Sequence, residues 1–296
     1  MSAASHAPRA IAIFDSGLGG LSIARHIRQR LPGEALIYFA DSGWAPYGHR
    51  TEREILDRVL ALGQWLAAQH IKAMVVACNT ATTIAIAALR EHYPDLPIVG
   101  VEPGVKPAVA LSRSGVVGVL ATQATLRNRS FQALLERQSR DCRFVCQAGH
   151  GLVALIEAGE WDTPAMDALL TRYLDAMSDQ GVDTLVLGCT HFPLLIPAIE
   201  RLYGNRFTLV QTGEAVTSRL QTLLANACEA SESPGSTDPA IAATRAIHEA
   251  GTPLAGSIRL VSSSASDPLV QLAHALLGGP LDLEIALAPA PSRMSA

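Results

Sequence analysis

The stretches "VVACNTAT" at 75–82 and "LVLGCTHF" at 185–192 decide the fold. Each is a short apolar run that ends at a cysteine and passes at once into small polar residues. Runs of this length, rich in Val and Leu and without polar alternation, read as strands buried on both faces, as in parallel sheets covered by helices. A helical pattern follows each, near 80–90 and near 193–203, and Pro193 limits where the second helix can begin. Both cysteines, Cys78 and Cys189, therefore stand at strand-to-helix junctions. In an open α/β sheet that is the carboxyl edge, where ligands bind.

The same rhythm extends outward from these two strands. "IAIF" at 11–14 reads as a strand, followed by the turn "DSGLGG" and the helical "LSIARHIRQR". "ALIYFAD" at 35–41 is a second strand, and a loop "SGWAPYGHR" leads into an amphipathic helix opened by the capping pair Thr51 and Glu54. After "LPIVGV" at 96–101, the proline-punctuated "EPGVKPAV" marks a crossing into a second lobe. Strand and helix alternate again from "SGVVGVLAT" at 114–122, with a short strand near 143–146 and a helix near 151–158. Farther on, "ASESPGSTDPA" at 230–240 reads as a polar loop, "SIRLVSS" at 257–263 as a strand, and the residues beyond Ala288 as a loose terminus. The expected architecture is α/β, with two similar lobes, each built on a mostly parallel sheet flanked by helices.

Composition narrows the function. The chain has 296 residues, 49% hydrophobic and 17% charged, with a formal net charge of −4. That is enough apolar material for one large core or two smaller ones, and it gives no basic surface for nucleic acid or anionic membrane. The ligand is expected to be a small molecule. No signal-like start or transmembrane-length apolar run is present, which points to the cytoplasm. Five scattered cysteines favour reduced thiols over a disulfide framework. "CTH" alone carries no zinc signature and C-x-x-C is absent, so neither a metal nor a redox pair is expected. Cys142 and Cys146 read as structural, and Cys228 as incidental.

A cysteine at a helix N-terminus is exposed to backbone N–H groups that favour the thiolate, so a pKa lowered towards neutrality is expected at Cys78 and Cys189. Such thiols act as proton acceptors or nucleophiles; the alternative is that both are small apolar fillers. "DSGLGG" at 15–20 is not a dinucleotide fingerprint, because Ser22 stands where the third glycine belongs. Its functional reading has Ser16 and the turn amides holding a carboxylate or amine while Asp15 relays a proton. Its structural reading is a glycine turn with an Asx bond. Asp41, closing the second strand, reads either as an acid of the site or as an Asx turn, and it is counted with the substrate-contacting residues.

The stretches "IAIFDSGLGGLS", "YFADSGWAPYGHR", "VVACNTATT", "VEPGVKPAV", "GVLATQATL" and "LVLGCTHFPLL", in this order and spacing, resemble the glutamate racemase family of cofactor-independent amino-acid racemases. The resemblance spans about residues 10–225 and continues more loosely to about 278. It implies two catalytic acid/base thiols, Cys78 and Cys189, assisted by Asp15 and His191. It further implies a substrate site lined by Ser16, Tyr47, Gly48, Asn79, Thr80, Thr122, Thr125 and Thr190, with Glu157 as an additional acid. The implied organisation is a first lobe over 1–102, a second over 103–213, and a C-terminal segment 214–296 that completes the first. The implied substrate is glutamate and the product D-glutamate, used in peptidoglycan synthesis; no cofactor is implied, and a homodimer is. Two departures from the family pattern stand out: extra residues before Glu157, and Gln211 where an acid is usual. The neighbouring readings are an aspartate or hydantoin racemase, or a cysteine hydrolase pairing Cys189 with His191.

Overall fold

In the computed structural model, residues 9–69, 71–140, 142–231, 256–264, 267–278 and 281–285 are described. The strands are β1 (Ile11–Asp15), β2 (Leu36–Ala40), β3 (Ala73–Val76), β4 (Ile98–Gly100), β5 (Val116–Ala121), β6 (Arg143–Ala148), β7 (Thr184–Gly188), β8 (Thr208–Val210), β9 (Ile258–Ser262) and β10 (Leu281–Ile285). The helices are α1 (Leu21–Arg30), α2 (Glu52–Ala67), α3 (Asn79–His92), α4 (Val105–Leu111), α5 (Gln123–Arg127), α6 (Arg129–Gln138), α7 (Leu152–Glu157), α8 (Pro164–Asp179), α9 (Ile196–Tyr203), α10 (Gly213–Ser231) and α11 (Asp267–Leu277).

Every residue of β1 is buried. Ile11 and Ile13 face one core while Ala12 and Phe14 face another, the two-residue alternation of a strand covered on both sides. The strands form two all-parallel sheets, ordered β10-β9-β2-β1-β3-β4 and β6-β5-β7-β8. The C-terminal strand β9 runs along β2 from Leu36 opposite Ile258 to Ala40 opposite Ser262. The chain thus leaves the first sheet after β4, builds the second, and returns.

Helices α2 and α3 cover one face of the first sheet, with Ile55, Val59, Leu62, Ala81 and Leu89 buried there. Helices α1, α10 and α11 cover the other, and that core is continuous with the face of the second sheet that carries Leu120, Leu185 and Leu187. The opposite face of the second sheet packs separately against Val105, Phe131 and Leu135.

Local chemistry explains where the helices start. At α2 the capping pair closes reciprocally: Thr51 Oγ1 accepts from the Glu54 amide at 3.3 Å and Glu54 Oε2 accepts from the Thr51 amide at 2.9 Å. After β7, Pro193 lies in a 3-10 turn, Phe192–Leu195, that delays α9 to Ile196. Cys142 is buried, and Cys146 is exposed on the edge strand β6. The polar stretch at 230–240, beyond Ser231, and the terminus beyond Ala288 lie outside the described residues. Among the described residues, no helix is long and apolar enough to cross a membrane.

Candidate active site

The site is assembled from turns that leave the carboxyl ends of the two sheets. Cys78 caps α3, its Sγ accepting from the Ala81 amide at 3.5 Å, and it donates to Ser16 Oγ, also at 3.5 Å. Cys189 follows β7 in the second sheet, with Sγ 3.7 Å from His191 Nδ1. Both thiols line one small cavity of about 70 Å³. Ser16, Tyr47, Gly48, Asn79, Thr80, Thr122 and His191 share the lining. Among the described residues no His, Cys, Asp and Glu cluster could hold a metal.

A belt of hydrogen bonds crosses between the lobes around this cavity. Thr190 Oγ1 donates to Asp15 Oδ1 at 3.1 Å, and Ser22 Oγ bonds the Thr190 carbonyl at 3.0 Å. The Leu18 amide and His191 Nε2 converge on one oxygen, Glu157 Oε1, at 2.8 and 2.5 Å. On the other side Thr80 and Thr122 hydroxyls meet at 3.0 Å, and Thr125 joins Thr122 at 3.0 Å. The "DSGLGG" turn is glycine-rich because it passes so close to the second lobe. A Cβ on Gly17 would stand 1.9 Å from Glu157 Oε1, and one on Gly19 would stand 2.3 Å from His191 Nδ1.

Burial shapes the ionisation of the site. The Cys78 thiol is pushed up to about 12, first by burial and then by the Asp15 carboxylate, against its hydrogen bonds with Ser16 and Ala81. This corrects the expectation of a lowered value: desolvation in a closed site outweighs the helix terminus. Asp15, fully buried, is raised to about 6 by desolvation, with the His191 charge opposing and Glu157 reinforcing the rise. For His191 burial opposes charging, but the bonds to Cys189 and Glu157 prevail and hold its pKa well above the ordinary imidazole range.

Several candidates do not reach the cavity. Asp15, Thr125, Glu157 and Thr190 stand behind the lining: Asp15 and Thr190 bond each other next to Ser16, Thr125 bonds Thr122, and Glu157 bonds His191. Asp41 faces away. Its carboxylate is taken by Arg58, Nε to Oδ2 at 2.8 Å and Nη2 to Oδ1 at 2.6 Å, and by the Tyr47 hydroxyl at 2.7 Å. With three bonds on it and no place among the residues that line the cavity, Asp41 is corrected from a substrate contact to a brace of the wall, which it holds through Tyr47. The altered spacing before Glu157 leaves that side chain against His191, and Gln211 is exposed just ahead of α10.

Sequence reasoning missed the wall formed by Gly149, His150, Gly151, Val153 and Ala154. Its signal was the "GHG" between β6 and α7, where Gly151 adopts φ of +82°. His49 and Gln123, each next to a residue that was named, were missed as well.

Two parallel α/β sheets that each deliver one thiol from a carboxyl edge into a shared cavity define a two-lobed enzyme of the paired-thiol acid/base class. The Asp/Glu/hydantoin racemase family model matches residues 21–220. The glutamate racemase of Ralstonia nicotianae is 48% identical over 268 residues, covering 90% of this chain and 89% of the relative. That of Ectopseudomonas mendocina is 52% identical over 220 residues, 74% of this chain and 83% of the relative. Among solved structures, Escherichia coli glutamate racemase in complex with L-glutamate and the activator UDP-MurNAc-ala superposes with a TM-score of 0.77 at 31% identity, covering 96% of this chain and all of that one. The chain belongs to the Asp/Glu/hydantoin racemase family, and the enzyme is a racemase.

Proposed function

We propose that this enzyme interconverts L- and D-glutamate by a two-base proton transfer between Cys78 and Cys189. The observation that carries the reading is the entry of one thiol from each lobe into the same cavity. Racemisation takes the α-proton from one face and returns a proton to the other, so acid and base must stand on opposed walls. Cys189 removes the proton from L-glutamate and Cys78 reprotonates the opposite face; the roles exchange for D-glutamate. A thiol raised to about 12 is protonated at neutral pH, which suits Cys78 to the donor's part in the L-to-D direction. Its ionisation in the reverse direction is helped by the substrate ammonium, a positive charge brought into a dry site.

Ser16, Asn79, Thr80, Thr122 and the Gly48 backbone serve as uncharged donors to the substrate carboxylates, stabilising the carbanion-like charge as it develops. Tyr47 forms part of the same wall. His191, oriented by Glu157, holds the proton inventory of Cys189, while Asp15 and Thr190 fix the turn that carries Ser16. Thr125 orients Thr122. The lobe boundaries at 102 and 213, a cytoplasmic site of action, a homodimer and supply of D-glutamate to peptidoglycan belong to the same reading. A Cys189–His191 hydrolase would leave the opposing Cys78 without a task.

The test is incubation of metal-stripped protein with L-glutamate under reducing conditions, followed by chiral separation. Appearance of D-glutamate is the expected result. Persistence of a single enantiomer overturns the assignment.

A further inference from the structure

Helix α2 presents an apolar face built on Ile55, Val59 and Leu62, and in the middle of it stands Arg58, 2% exposed. Stability does not explain a guanidinium there, because a buried ion pair can often be exchanged for hydrophobic residues at no cost. Its contacts suggest another use. Arg58 forks onto both oxygens of Asp41, the residue that opens the loop to Arg50. Its Cζ lies 5.0 Å from the Trp44 ring centre, and Arg50 covers the same ring at 4.1 Å while bonding the Trp44 carbonyl at 2.9 Å. Asp41 Oδ2, held by Arg58, also receives the Tyr47 hydroxyl. One guanidinium thus engages the start, the middle and the cavity wall of this loop. In front, the loop has little slack: a Cβ on Gly48 would come within 3.3 Å of Thr122 Cβ in the second lobe.

We infer that Arg58 is a positioning residue for substrate binding: it sets Tyr47 and Gly48 against the cavity through Asp41 and Trp44 and touches no substrate itself. The inference rests on the glutamate reading above for its kinetic arm. The thiols are carried by other elements, the ends of β3 and β7, so loss of Arg58 separates binding from chemistry.

The experiment compares Arg58→Lys, Arg58→Met and the double variant Asp41→Asn/Arg58→Met as full chains. In Arg58→Met, KM for glutamate should rise about tenfold with kcat within about threefold of the parent, the pattern of lost binding. Arg58→Lys keeps the charge but loses the planar fork, and its KM should fall in between. The double variant removes the stranded carboxylate charge, so it folds even where Arg58→Met does not, and its KM should stay raised. An unchanged KM in the folded variants, a KM restored in the double variant, or a fall in kcat at constant KM would overturn the inference. The last two would mark Arg58 as a charge balance or a purely structural group. Trypsin cleavage after Arg50 supplies an arm independent of the substrate. It should accelerate when Arg58 is replaced, and an unaltered rate counts against the inference whether or not the enzyme turns over glutamate.

Discussion

Replacing Asp15 with Asn should make this protein more stable at pH 8 while making it a worse enzyme. The Asp15 carboxyl is fully buried and its pKa stands at about 6, against 3.8 for an ordinary aspartate, with burial the main cause. The ionised form is therefore the one that the fold penalises. A carboxyl with a raised folded-state pKa contributes its full stability below about pH 4 and loses it as pH climbs through about 6. A shift of about two units at about 1.4 kcal/mol each gives a cost of about 3 kcal/mol at pH 8.

Asn retains the local bonds. Its oxygen can accept from the Gly17 amide, as Asp15 Oδ2 does at 3.1 Å, and its NH₂ can donate to Thr190 Oγ1, since a hydroxyl both gives and takes. Weaker bonding to a neutral acceptor returns part of the gain, so the net stabilisation at pH 8 should be about 2 kcal/mol. Urea unfolding of both proteins from pH 4.5 to 8 measures the difference, which should be near zero at the acid end and grow with pH. An Asp15→Asn protein no more stable than the parent at pH 8 refutes the reasoning. Chiral assay of the same samples should show reduced kcat, the trade between stability and a charge kept buried in the site.

Other expectations follow from the same geometry. Cys78→Ser and Cys189→Ser should each nearly abolish racemisation, and in heavy water the parent should place deuterium at Cα of early D-glutamate while recovered L-glutamate remains almost unlabelled. Substantial turnover by both variants, or equal label in both pools, contradicts the two-base scheme. Glu157→Gln removes a partner that raises His191, so the imidazole titration followed by NMR should move to lower pH; an unmoved titration would detach Glu157 from His191. Gly19→Ala puts a methyl against the buried His191 ring and should cost about 1–3 kcal/mol by overpacking, with a loss of activity. A wild-type urea midpoint would contradict that contact.

Much of the fold was legible because buried parallel strands announce themselves as unbroken apolar runs. Val75 and Val76 ahead of Cys78, and Leu185 to Leu187 ahead of Cys189, placed both thiols at sheet edges. Thr51 and Glu54 marked the start of α2, and Pro193 the late start of α9. Direction of approach was not legible. Asp15 and Asp41 close neighbouring strands in similar contexts, yet one turns towards the second lobe and the other into an ion pair under the loop. That difference is set by Arg58, which lies seventeen positions after Asp41 and looks in the sequence like an ordinary solvated charge. The ionisation of Cys78 was misjudged for a related reason. A helix terminus is visible in a sequence, whereas closure of the cavity by a second lobe is a property of the assembled chain.

The pairing of β2 with β9 has a consequence for how the protein is made. The second sheet, β5 to β8, is complete in the nascent chain once Val210 has been added, with its strands drawn from one continuous stretch. The first must wait until Ile258–Ser262, and then Leu281–Ile285, leave the ribosome, although β1 to β4 have by then long been extruded. During that interval β2 is an open edge of sequence LIYFA, apolar throughout and buried at every position in the finished fold. Such an edge invites pairing with other chains. The late-born β9 is therefore the protein's own cover for an apolar strand edge, and a polypeptide released before Ile258 would carry that strand uncovered.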